Sequence, residues 1–278
     1  MNADKSNEET DMKTKFAFAA VVAGVMAAGA AQACAPAHSF DTISAGKLTV
    51  ALTNTPPYSQ ETDGAISGID GEILKRFAAE NCLTVAYEIF TYPGAVSAIQ
   101  SGRADVALGG FYRTAARDRT VRLSTPVYLD QLAIASKEGY DSADQIADLR
   151  TGTVEGYDWV LEMEDNFDST STYPSSLNLA QDLQAGRIDA ALEGYGAAVL
   201  LNAGKDIQVK LMQPDERFKA TVKPTQTSFL LPKENVGLGD AVDASLDAYR
   251  ADGAIAKALE TYGLHPSGAD VGDARVVE

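Results

Sequence analysis

An α/β protein of two similar lobes is the fold this sequence predicts, and three observations predict it. Short apolar or alternating strands are separated by helices with one apolar face, the rhythm of α/β domains. A helix–Gly–Arg–strand unit, SAIQSGRADVALGGF at 97–111, returns as AQDLQAGRIDAALEGY at 180–195, with Gly102 and Gly186 in the same place. Helix–glycine–strand is a common local solution, so the echo supports two lobes without requiring them. The chain has 278 residues, 45% of them hydrophobic, enough for one large core or two modest ones.

The elements follow in order. KLTVALT (47–53) alternates as a strand does, and PPY (56–58) reads as a loop. GIDGEILKRFAAEN places Ile73, Leu74, Phe77 and Ala78 on one helical face, and TVAYEIF after Cys82 is a second strand. Pro93 opens a helix that Gly102 closes, and DVALGG is a short buried-type strand. STPVYLDQLAIASKEG is an apolar extended run, and RTGTVEGYDWVLEMEDNF reads as strand, turn and helix. Beyond the echoed unit come a strand at SFLLPKEN, a helix carrying Val242, Leu246 and Tyr249, a break at Asp252-Gly253 and the helix AIAKALETYGL. The last dozen residues, rich in Gly and Asp, predict a frayed end.

The formal charge of −16 argues against nucleic acid or an anionic membrane as the main partner. At the N-terminus, Met12 makes a better start than Met1. Lys13 and Lys15 precede the apolar run FAFAAVVAGVMAAGAA and small residues at AQA-CA, the pattern of a Sec-type signal peptide cleaved after Ala33. As a membrane anchor the run is short, about 16 residues where roughly 20 are needed. Residues 1–33 are therefore read as leader. Both cysteines, Cys34 and Cys82, survive cleavage into an oxidising compartment, where a Cys34–Cys82 disulfide would pin the new N-terminus to the end of the first helix. Two unrelated thiols, or a lipid on Cys34 behind a poor lipobox, stay open at this stage.

Much chemistry is excluded. Only His38 and His265 exist, so a Ser-His-Asp or Cys-His set has little to draw on. No ligand-spaced metal cluster and no phosphate-binding glycine loop occurs, and no cofactor is expected. An enzyme would have to work through carboxylates such as Glu193 and Asp158. The stretch GGFYRTAARDR (109–119) stands out against the acidic background. Gly109 and Gly110 allow close backbone approach, Thr114 is a good N-cap, and Arg117 falls in the first helical turn. A cation there is unfavourable until an anion joins it, and a guanidinium matches a carboxylate as a planar fork. Arg117 is thus a candidate carboxylate clamp, with an internal ion pair as the plainer alternative. Arg113 and Arg119 read as surface or scaffold.

The ordered set PPY, GIDGEIL, GRADVALGG, TxxR, STPVY, GTVEGY, LQAGRIDAALEG and ADGAIAKALETYGL resembles the amino-acid-type periplasmic solute-binding proteins of ABC importers, family 3, with a type II periplasmic-binding-protein fold. The resemblance spans essentially the whole chain beyond the leader. It implies a clamshell with a two-strand hinge, lobe one holding 34–130 and 226–278 and lobe two 131–225. It implies a small carboxylate-bearing or zwitterionic ligand, a membrane permease as partner, a periplasmic location and a monomer. It assigns Arg117 to the ligand carboxylate, the backbone of Gly110 to the amino-acid group, and Tyr92 to a ligand contact, though Tyr92 also suits a core aromatic. Tyr58 of the PPY loop joins this set.

Three departures bear on the ligand. Tyr112 replaces the usual Ser or Thr, Thr55 stands where an aromatic is common, and Gly194 takes the position of the acid that binds an α-amino group. Glu193 or Asp158 is expected to supply that charge. Tyr92, Tyr112, Tyr157, Trp159 and Tyr195 suit the surroundings of a cation. The plainer roles are lobe packing for Tyr157 and Trp159, and a helix cap for Asp158. Two other readings remain: a periplasmic enzyme similar to cyclohexadienyl dehydratases, with Glu193 as general acid, and a ligand-binding partner of a sensory receptor.

Overall fold

The structure is a computed structural model that describes residues 34–278; the leader expected over 1–33 lies outside the described residues. The chain starts with β1 (Lys47–Thr53), followed by a small hairpin, β2 (Gln60–Thr62) and β3 (Ala65–Ser67), and then α1 (Gly68–Glu80). Next come β4 (Thr84–Phe90), α2 (Tyr92–Gln100), β5 (Val106–Tyr112), α3 (Ala115–Thr120), β6 (Arg122–Leu123) and β7 (Leu129–Asp130). A second series holds β8 (Leu132–Ser136), β9 (Arg150–Val154), α4 (Val160–Asn166), β10 (Ser169–Tyr173), α5 (Ser176–Gln184), β11 (Ala190–Gly194), α6 (Tyr195–Leu201), β12 (Gln208–Leu211) and α7 (Lys219–Val222). β13 (Thr225–Leu231), α8 (Val236–Ala251) and α9 (Ala254–Thr261) close the chain.

Two sheets result. The first has the order β4-β1-β5-β13-β6, with β7 also on β13; the second has the order β10-β9-β11-β8-β12. Each is built alike: a leading strand (β1 or β9) lies between two parallel partners, and an antiparallel strand (β13 or β8) follows. The echoed units α2–β5 and α5–β11 hold equivalent places in these sheets. The chain passes from one sheet to the other at Gln131, and returns between β12 and β13. This two-lobed α/β arrangement is the expected fold class.

The echo extends to single hydrogen bonds. Gly102 (φ +66°) and Gly186 (φ +71°) end α2 and α5 in left-handed geometry. The amide of the next residue then closes the helix, Arg103 to Ala98 and Arg187 to Asp182. Two residues further on, the amide of Asp105 donates to Thr49 O and its carboxylate accepts from Thr49 N at 2.8 Å. Asp189 does the same with Arg150, accepting its amide at 3.1 Å. Each aspartate thus ties the start of one parallel strand to its neighbour.

Apolar residues of β1, α1, α8 and α9 form the core beneath the first sheet, with Leu48, Leu74, Phe77, Leu246 and Ile255 among its fully buried members. Trp159, Met163, Phe167 and Phe218 pack beneath the second. Cys34 and Cys82 form a disulfide. Cys82 (φ +59°) takes the left-handed position after α1 that glycine holds after α2 and α5. The frayed end is corrected: Val277 pairs with Thr114, its amide donating to Arg113 O and its carbonyl accepting from Ala115 N. Gln226 holds the same tail through Val271 O, Asp273 O and the Arg275 amide.

Candidate functional site

In open parallel sheets ligands collect beyond the carboxyl ends of the strands. Here the carboxyl ends of β1 and β5 face those of β9 and β11 across one narrow cavity. From the first sheet come Tyr58, Tyr92, Gly110, Tyr112 and Arg117; from the second, Tyr157, Asp158, Trp159 and Gly194; and from β7 at the crossing, Asp130.

Arg117 reaches this wall because Thr114 caps α3, its hydroxyl accepting the Arg117 amide at 3.2 Å. The guanidinium donates to Tyr112 O at 2.8 Å and to Gly156 O at 2.9 Å, so one side chain spans both sheets. Among the described residues no carboxylate forms an ion pair with it. Asp158 lies near it, half-buried; burial raises the Asp158 carboxyl above its usual range and Arg117 opposes the rise. Asp158 is not the cap of α4, whose N-cap is Trp159.

The aromatic wall is continuous. Tyr92 meets Tyr157 edge-on at 4.9 Å, Tyr157 meets Trp159 at 4.8 Å, and Trp159 meets Tyr112 at 5.6 Å. Tyr92 also donates to Gly109 O at 2.5 Å, and burial pushes its hydroxyl up to about 12. Trp159 is 2% exposed and donates to Thr153 Oγ1 at 2.8 Å, so most of it is core and one edge reaches the cavity. Asp70, pushed up to about 6 by burial, anchors the floor by accepting the amides of Gly109 and Gly110 at 3.0 and 2.8 Å. Gly110 has φ +61°, and a Cβ there would lie 3.0 Å from the Tyr58 ring. Of its backbone, expected to serve a ligand, the amide is committed to Asp70.

Three expected residues are not brought to the cavity wall. Thr114 spends its hydroxyl on the helix cap and its backbone on Val277. Glu193 lies behind Tyr157, accepting its hydroxyl at 2.6 Å and the Gly194 amide at 2.9 Å, while burial pushes its carboxyl up to about 7. Tyr195 is 39% exposed and lies outside the lining. The helix amides expected to meet an anion are partly taken, since those of Ala115 and Arg117 go to Val277 and Thr114. One lining residue, Asp130, was absorbed into an apolar run; a single acid inside VYLDQLAIAS was the available signal, because buried charges need partners.

The profile of the bacterial extracellular solute-binding proteins, family 3, matches residues 48–265. The chain belongs to this family. Among curated proteins, the chain is similar to the putative ABC transporter arginine-binding protein 2 of Escherichia coli (strain K12), with 25% identity over 138 residues. That match covers 48% of this chain and 57% of the relative, so it spans little more than half of that protein's length. Among solved structures, an amino-acid ABC transporter substrate-binding protein, AbpA from Streptococcus pneumoniae, bound to L-arginine, superposes with TM-score 0.70 at 23% identity. The superposition covers 82% of this chain and 97% of that one. EhuB in complex with hydroxyectoine superposes with TM-score 0.66 at 25% identity, over 81% and 91% of the two chains. The chain therefore shares the fold of these two ligand-bound proteins. No helix among its described residues is long and apolar enough to cross a membrane.

Proposed function

We propose that the protein is the exported binding component of an ABC importer. It takes an amino acid or a related carboxylate-bearing zwitterion between its lobes and delivers it to a membrane permease. Lobe one would comprise 34–130 and 226–278, and lobe two 131–225. A Sec-type signal ending at Ala33 would place a monomer in the periplasm. The observation that carries this reading is Arg117, a guanidinium on the cavity wall without a carboxylate partner among the described residues. A ligand carboxylate there gains charge-assisted hydrogen bonds that two backbone carbonyls cannot match. Contact with both lobes gives the differential affinity that closure requires. The relatives that bind arginine and hydroxyectoine support the class. No covalent step is needed, and Glu193 lies behind Tyr157 rather than in the cavity where a general acid would act.

A thermal-shift screen over amino acids, betaines, ectoines and opines tests the reading, since ligand at 100 times its Kd adds about 2.7 kcal/mol. Arg117→Ala should then weaken the best hit roughly 100-fold or more by calorimetry. Unchanged affinity would remove the clamp.

A further inference from the structure

Asp130 is 6% exposed, lines the cavity, and stands at the segment where the chain crosses between the sheets. Its Oδ2 accepts the hydroxyls of Tyr58 at 2.7 Å and Tyr112 at 2.9 Å, while no side chain among the described residues donates to Oδ1. The amides of Gln131 and Gly196 also face the carboxyl. These donors satisfy lone pairs but bring no positive charge, and no cationic side chain pairs with Asp130 among the described residues. The nearest cation on the wall, Arg117, is turned to Tyr112 O and Gly156 O. A buried carboxylate without a counter-charge is costly, and a cation arriving from the cavity removes that cost.

A second, independent observation concerns Gly194. A Cβ built there would lie 2.6 Å from Asp130 Oδ2 and 3.0 Å from the Tyr58 hydroxyl. Its backbone is ordinary, with φ −58°, so conformation does not demand glycine. The Asp130 carboxylate occupies the space a side chain at 194 would need.

We propose that Asp130, oriented by the hydroxyls of Tyr58 and Tyr112 and lying in the space that the missing side chain at Gly194 leaves to it, binds the positive end of the ligand. This rests on the zwitterion reading above and adds which residue holds the cation. Tyr58 and Tyr112 are positioning residues, and the two departures Tyr112 and Gly194 become parts of one arrangement. With Arg117, Asp130 defines a ligand that carries both charges, flanked by aromatic faces that add attraction for a cation.

The test titrates wild type, Asp130→Asn, Asp130→Ala and the double variant Asp130→Ala/Gly194→Asp with L-arginine, L-glutamine, glycine betaine and ectoine, with melting curves for each protein. The expected result is that Asp130→Asn weakens whichever of these binds wild type by roughly 30-fold or more, the loss typical of one partner of a buried charge pair. The double variant should recover most of the loss suffered by Asp130→Ala, because its carboxylate returns to the same space. Retained affinity in Asp130→Asn, within about threefold, overturns the assignment while leaving the zwitterion reading intact. If the single variants fail to fold, the double variant decides alone: affinity within about tenfold of wild type supports the assignment, and a larger loss overturns it. If wild type binds none of the four, the best hit of the wider screen of amino acids, betaines, ectoines and opines replaces them in the titrations, and no hit at all overturns the zwitterion reading and the assignment with it.

Discussion

At Glu193 burial and hydrogen bonding act in opposite directions on one carboxyl. Burial dominates, holding its proton to about 7 when the ordinary value is 4.5, while Tyr157 and the Gly194 amide pull the other way. Between those two pH values the folded state binds more protons than the unfolded chain, so stability falls as pH rises through the window. The contribution is fully present below 4.5 and lost above about 7, and the gap corresponds to on the order of 3 kcal/mol. Asp70, raised to about 6, adds in the same direction. Glu193→Gln should therefore show a smaller drop in melting temperature between about pH 5 and about pH 8 than wild type. An equal drop in both would mean that Glu193 does not titrate in this window. The sequence marked Glu193 as a candidate by its place beside Gly194, but the direction it faces depends on Tyr157, 36 residues away in the chain.

The parallel strands of both lobes are latched by the same device, and it can be tested in each. Asp105 is 1% exposed and accepts two amides, from Ile43 and Thr49. Asp105→Ala leaves the partly buried strand amide of Thr49 unpaired and should cost about 1–3 kcal/mol in a denaturant titration. Asp189→Ala should cost less, because Asp189 is more exposed and water can replace it. Equal losses would count against this account. The device was legible as Gly-Arg-x-Asp, since a left-handed glycine and a following aspartate act locally. Elements without apolar periodicity were not legible: β10 (STSTY) and β12 (QVKL) are edge strands that bury little. The hairpin of β2 and β3 does carry its signal, Asp63 and Gly64 at φ +52° and +76°, the turn that joins twisted strands.

Across the whole molecule, the Cys34–Cys82 bridge ties the start of the described chain to the end of α1, over a separation of 48 residues. Ala37 N to Glu80 O and His38 N to Asn81 Oδ1 continue that attachment. A loop of this length predicts stabilisation of about 4 kcal/mol on the chain-entropy account, and commonly 2–4. Non-reducing peptide mapping should show the linked pair, and reductant should lower the unfolding midpoint; two free thiols on mapping would remove both expectations. The two sheets are joined across the cavity by Arg117 to Gly156 O, by the Gly196 amide donating to the Tyr58 hydroxyl, and by Tyr92 against Tyr157. Groups that would hold a ligand are thus the groups that hold the lobes together.

The sequence alone determined the α/β class, most of the central strands and the place of Arg117, and its internal echo supported the paired design of the lobes without requiring it. Those follow from local periodicity, glycine geometry and helix capping, which act within a few residues. Only the tertiary structure decided that Glu193 turns behind Tyr157, that the C-terminal tail docks beside Thr114, and that Asp130, Tyr58, Tyr112 and Gly194 meet. Each depends on segments far apart in the chain brought together by the crossing between two sheets, and spacing along a single chain does not encode that. Tyr112 and Gly194, separate oddities in the sequence, are joined in space by the one carboxylate that lies between them.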